Sequence, residues 1–152
     1  MRLLTPLCAA LLLVALPACV NRIVEYPPLP EQPQARDDAA LVYFYRPDYH
    51  DHSSYHHHKR KNYEYVDDDG EFLGAVAEGS FFFAHVKPGT HNFSCLKIEI
   101  EAGQIYYLEN YNGYRRNSWD PLILCPPKFV LRSADYAQPI VGGLTYTKVR
   151  KE

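Results

Sequence analysis

This chain of 152 residues has one methionine, one tryptophan, four cysteines and a net charge of only -2. Each shortage excludes something. With a sequence pI near 6.4 there is no broad basic field to hold a phosphate backbone, so DNA and RNA are not expected partners. Gly-x-Ser-x-Gly, His-Glu-x-x-His and phosphate-loop patterns are all missing, and no enzymatic activity is expected. No segment keeps a helical apolar period beyond about two turns, which argues against a helical domain. What is plentiful is aromatic: 13 tyrosines and 7 phenylalanines, residues suited to pleated, half-buried surfaces.

The N-terminus carries Arg2, an apolar run from about Leu7 to Leu16, and then Leu16-Pro17-Ala18-Cys19. The run is too short to span a bilayer. A basic start, an apolar centre and a small residue before a cysteine together resemble a bacterial lipoprotein signal. That resemblance implies removal of residues 1–18, acylation of Cys19 with palmitate-type chains, and attachment to a membrane. Two or more chains, at about 0.8 kcal/mol per buried methylene, hold almost permanently. Val20 stands where an aspartate would signal inner-membrane retention, so the implied address is the outer membrane, facing the periplasm. Pro17 departs from the pattern, and a plain secretory signal or a short buried helix is the alternative.

Cys8 leaves with the signal, so Cys95 and Cys125 remain as a pair in an oxidising compartment, and a disulfide between them is expected. Closing a loop of about thirty residues is worth roughly 3 to 4 kcal/mol on the chain-entropy model. Two buried thiols or two metal ligands are the competing uses, although the spacing has no zinc signature.

Residues 19–39 contain four prolines and no apolar period, and read as a tether. Extended polyproline II at about 3.1 Å per residue would carry the domain up to roughly 60 Å from the headgroups. The alternative is a segment packed along the domain through Ile23, Val24 or Tyr26.

Residues 40–152 read as a succession of short strands. Leu41 to Tyr45 is aromatic and β-branched and stops at Arg46-Pro47. Tyr63 to Val66 and Phe72 to Val76 flank Asp69-Gly70, a strong hairpin-turn signal. Ser80 to Val86 is followed by Lys87-Pro88-Gly89-Thr90, a proline-glycine turn into His91 to Ser94. Leu96 to Glu101 alternates apolar and charged residues strictly, Ile105 to Asn110 is another aromatic strand, and Lys128 to Arg132 resumes pairing after Leu122 to Leu124. One helical turn is expected over Ser133 to Ala137, and an extended stretch over Leu144 to Val149. The predicted class is all-β, an antiparallel β-sandwich of about seven or eight short strands.

Three stretches carry a resemblance: Val42-Tyr43-Phe44-Tyr45-Arg46-Pro47, Asp69-Gly70-Glu71-Phe72-Leu73-Gly74, and Val86 to His91 followed by Ala102-Gly103-Gln104-Ile105-Tyr106-Tyr107. Together they are similar to small bacterial lipoproteins with a single domain of unknown function. The last two are also similar to PEGA-type modules, which are small β-sandwiches. The resemblance covers residues 40 to 110 and brings no catalytic residue with it. The departure is an insertion at residues 50–61 that is rich in histidine.

That insertion holds the sharpest chemistry. His50, His52, His56, His57 and His58, with Asp51, are good ligands for zinc or copper. A solvated loop is the commoner origin of such a tract, and a pH-responsive patch beside Lys59-Arg60-Lys61 is a third reading. Asp67-Asp68-Asp69-Gly70-Glu71 fails as a calcium loop, because aligning Gly70 with the invariant glycine puts Tyr65 and Val76 where carboxylates belong. Tyr106, Tyr107, Tyr111, Tyr114 and Trp119 with Arg115-Arg116 read either as a stacking platform or, more ordinarily, as sheet and loop aromatics. His85 and His91 read as structural. The expected function is that of a lipid-anchored cell-envelope module, binding or structural, whose partner is another envelope protein or a wall component. Metal binding by the histidine loop is the alternative.

Overall fold

A computed structural model describes residues 22–29, 33–48, 63–111 and 128–151. Its centre is β2 (Ala40–Arg46), whose alternation divides two environments. Ala40, Val42 and Phe44 point to one face and Tyr43 and Tyr45 to the other, as a period of two requires. Antiparallel to it runs β5 (Ser80–Val86), in register from Ala40↔Val86 to Arg46↔Ser80. On its other side lies β8 (Ile105–Asn110), paired Leu41↔Ile105 through Tyr45↔Glu109. Beyond β8 comes β9 (Phe129–Arg132), and beyond β5 the two residues of β10 (Thr145–Tyr146), which complete a five-stranded sheet.

The second layer contains β3 (Glu64–Asp68), β4 (Glu71–Val76), β6 (Gly89–Phe93) and β7 (Leu96–Ile100), in the order β4-β3-β6-β7. The β3–β4 turn has Asp69 at φ 47° and Gly70 at φ 87°, the two positive angles that a type I′ hairpin needs. A second two-residue turn, at Ser94 and Cys95, is also left-handed at φ 45° and 75°, an uncommon state for side-chain-bearing residues. Strands β3 and β6 share one registered pair, Asp68↔Phe93. The Asp68 carboxylate strengthens that seam, accepting from Asn92 N at 3.0 Å and meeting His91 Nδ1 at 2.6 Å.

Between the layers, Val42, Phe44, Phe82, Leu108 and Phe129 pack against Val66, Val76, Phe93 and Ile100. Phe44 stacks on Phe82 at 4.9 Å and meets Phe93 and Phe129 edge-on, the two favoured arrangements of aromatic pairs. Gly74 permits this closeness: a Cβ there would lie 2.6 Å from the Phe82 ring.

The all-β sandwich expected from the sequence is present, with three differences. First, the five-stranded sheet is mixed, because β2–β8 and β10–β5 are parallel. Strands β6 and β7 of the other sheet lie between β5 and β8 in sequence, so the chain crosses to the second layer and back before β8 joins β2, the long connection that a parallel pair requires. Second, the helical turn is an eight-residue helix, α1 (Ala134–Val141), despite Pro139. Burial of Ala137 and Val141 against Tyr45, Phe81 and Tyr107 on the outer face of the sheet supports it. Third, most of the described part of the tether is on the domain. β1 (Arg22–Glu25) pairs antiparallel with β11 (Lys148–Lys151), and Arg36 and Ala39 close a bridge just before β2.

Candidate functional site

The outer face of the five-stranded sheet is aromatic because three neighbouring strands present rings in register. Tyr43 lies opposite Phe83 on one side and Tyr107 on the other, and Tyr45 opposite Phe81 and Glu109. Tyr43 stacks on Tyr107 at 5.1 Å and 7°, and Phe83 stacks on Tyr146 at 5.4 Å. Over part of this floor is a cleft of about 570 Å³. Tyr43, Phe81, Tyr107 and Tyr146 form its aromatic side, the end of α1 and Leu144 a second, and Pro27, Pro28, Leu29 and Pro33 a third. Among the described residues no charged side chain lines it. Burial raises the pKa of Tyr43 and Tyr146 above the ordinary tyrosine value, and Tyr107 adds to the effect at Tyr43. The hydroxyls therefore stay neutral hydrogen-bonding groups at physiological pH, and the cleft suits an uncharged guest that lays C–H surface on rings.

Beside the cleft is a charged cluster. Glu109 is fully buried; its Oε2 accepts from Tyr45 OH at 3.2 Å and from Arg132 Nε at 2.7 Å. The Arg132 guanidinium lies 5.1 Å from the Tyr136 ring on α1. Burial, then the charge and acceptor oxygen of Glu109, push the Tyr45 pKa far up, and the hydrogen bond to Glu109 raises that of Arg132. The cluster joins β2, β8, β9 and α1 through one carboxylate. The adjoining Asn110 is also buried; its Nδ2 donates to Lys128 O at 3.2 Å, while Oδ1 has no partner among the described residues. The sequence reading passed over Glu109 and Arg132. The available signal was parity, since Glu109 shares the strand face of Tyr107.

His85 and His91, read as structural, have structural partners: His85 Nε2 meets Gln34 O at 2.8 Å, and His91 bridges Asp68 and Lys87 O. The acidic run is used in its own turn, Asp67 accepting from Gly70 N and Asp69 from Asn92 Nδ2. Among the described residues no three metal-ligating side chains come together. The candidate ligands His50, His52, His56, His57 and His58, the lipidation site Cys19, and Cys125, Tyr114 and Trp119 lie outside the described residues. Cys95 is described, at the left-handed turn. Tyr106 is separated from Tyr107 by the sheet itself: it packs toward the inter-layer core, and its hydroxyl oxygen accepts from Glu101 N at 3.0 Å.

No helix among the described residues is long and apolar enough to cross a membrane. No curated protein and no solved structure matches the chain. One family model does, over residues 36–118, which is more than half of the chain and runs from the Arg36 bridge through β8. The chain belongs to the family described as "Protein of unknown function (DUF2846)".

Proposed function

We propose that this protein is a lipid-anchored cell-envelope binding module, held by acylated Cys19 at the outer membrane and recognising its partner through the aromatic cleft. The anchor rests on the lipoprotein-like signal at residues 1–19. The observation that carries the binding role is the cleft: a space of about 570 Å³, with no charged side chain among the described residues that line it, stacked rings on one side and prolines on another. The charged groups beside it, Glu109 and Arg132, are engaged with each other and with Tyr45, which supports recognition over catalysis. The partner that fits is an extended, apolar segment of another envelope protein, whose C–H surfaces gain from ring faces without a charge to neutralise.

The Cys95–Cys125 disulfide belongs to the same proposal. Its support is that Lys128 N donates to Ser94 O at 3.4 Å, which brings the chain three residues beyond Cys125 against the residue before Cys95. Three residues span at most about 11 Å.

Photo-crosslinking in intact cells tests the binding role. A photoreactive residue at Leu144, in the cleft, is expected to give a discrete protein adduct that the same residue at exposed Glu99 does not give. Equal labelling at both positions, or an adduct made only of wall polymer, would refute an apolar protein segment as the guest.

A further inference from the structure

We infer that the anchor is short, and that the β1–β11 ribbon lies on the phospholipid headgroups and holds the sandwich against the bilayer. This rests on the lipidated-Cys19 reading and adds what the fold makes of it. Strand β1 begins at Arg22, three residues after Cys19, and those three residues reach at most about 11 Å. From Arg22 the chain is registered on β11 through four pairs, Arg22↔Lys151 to Glu25↔Lys148. It is then held to the second layer: the Arg22 guanidinium sits 4.0 Å from the Phe72 ring centre and 5.7 Å from that of Tyr65, and Tyr26 OH bonds Tyr63 OH at 3.3 Å. A lipid on Cys19 would therefore leave the domain a leash of about 11 Å, not the roughly 60 Å of a free proline tether.

The ribbon's exposed chemistry suits that position. Cross-strand partners share a face, so Arg22 and Val24 turn inward to the sandwich while Ile23, Glu25, Lys148 and Arg150 turn outward. Lys148 and Arg150 are exposed, and Glu25 meets Arg150 at 3.4 Å. The strand then leads to exposed Tyr26, a residue type enriched at headgroup level, and to exposed Leu29. Cationic side chains near an anionic leaflet are attracted by about 1 kcal/mol each, which is weak for a free protein and sufficient to orient one that is already anchored. The cleft wall starts at Pro27, five residues and at most about 18 Å from Arg22. A guest for the cleft is accordingly one presented near the membrane surface, such as a segment of a membrane-embedded protein.

The test uses the full chain, processed by a bacterial host and reconstituted in vesicles of phosphatidylethanolamine and phosphatidylglycerol. A fluorophore on Lys148→Cys is expected to be strongly quenched by nitroxide-labelled headgroups. A flexible spacer of about fifteen residues inserted before Arg22, which adds roughly 20 Å of root-mean-square reach, is expected to reduce that quenching by about half or more. An intact mass without added acyl chains would overturn the anchor and this inference together. An acylated protein with weak quenching that the spacer leaves unchanged would overturn this inference alone.

Discussion

The Glu109–Arg132 pair offers the most demanding stability test, because the structure fixes both its cost and its non-additivity. Glu109 is fully buried, whereas the Arg132 side chain is 30% exposed. Replacing Arg132 by Ala removes the 2.7 Å partner of a carboxylate that water cannot reach. Breaking a buried pair from one side costs about 3 to 5 kcal/mol, and partial exposure of the arginine moves the expectation to the lower end, about 3 kcal/mol. Glu109→Ala leaves the guanidinium with some solvent, so about 2 kcal/mol is expected, part of it from the Tyr45 hydroxyl stranded 3.2 Å away. Replacing both by Ala removes both charges from the low-dielectric site, and the double variant is expected to lose less than the sum of the single losses. Urea unfolding followed by tyrosine fluorescence measures each value, with an unchanged slope confirming that the same transition is compared. Losses under about 1 kcal/mol for Arg132→Ala, or strict additivity in the double variant, would refute the reasoning.

Gly74→Ala puts a methyl group 2.6 Å from the Phe82 ring and is expected to cost about 1 to 3 kcal/mol, read as a fall in the urea midpoint. Cys125→Ser is expected to cost about 3 kcal/mol and to make the variant's stability insensitive to reductant; equal reductant sensitivity in both proteins would rule out the disulfide. Tyr45, Tyr43 and Tyr146 have raised pKa values in the fold, and Tyr26 is pushed up to about 12, chiefly by burial with help from Tyr63. Above about pH 10 the unfolded chain gives up tyrosine protons that the folded chain keeps. Stability is therefore full below pH 10 and falls as pH rises toward the folded-state values. A thermal midpoint that stays flat well above pH 10 would contradict this.

Much of the architecture is legible in local pattern. The Leu41 to Tyr45 run, the Asp69-Gly70 turn and the alternation in Leu96 to Glu101 are short-range statements, and strands, turn and buried face appear as read. The Ser94-Cys95 turn was not legible, since nothing in those side chains favours positive φ; the pairing of β6 with β7 imposes it. The cleft was not legible either. It joins Pro27 to Tyr146, residues more than a hundred positions apart, and no window of sequence contains both.

By itself the sequence determined the strands from β2 to β9, the turn at Asp69-Gly70 and the presence of a signal-like N-terminus, because these depend on the chemistry of neighbouring residues. Only the tertiary structure decided that β8 joins β2 in parallel, that Glu109 is buried beside Arg132, and that residues 22–25 pair with residues 148–151. The physical reason is the same in each case. An unpaired strand or a lone carboxylate has no preferred place of its own, and its partner is supplied by a distant part of the chain that reaches it only on folding.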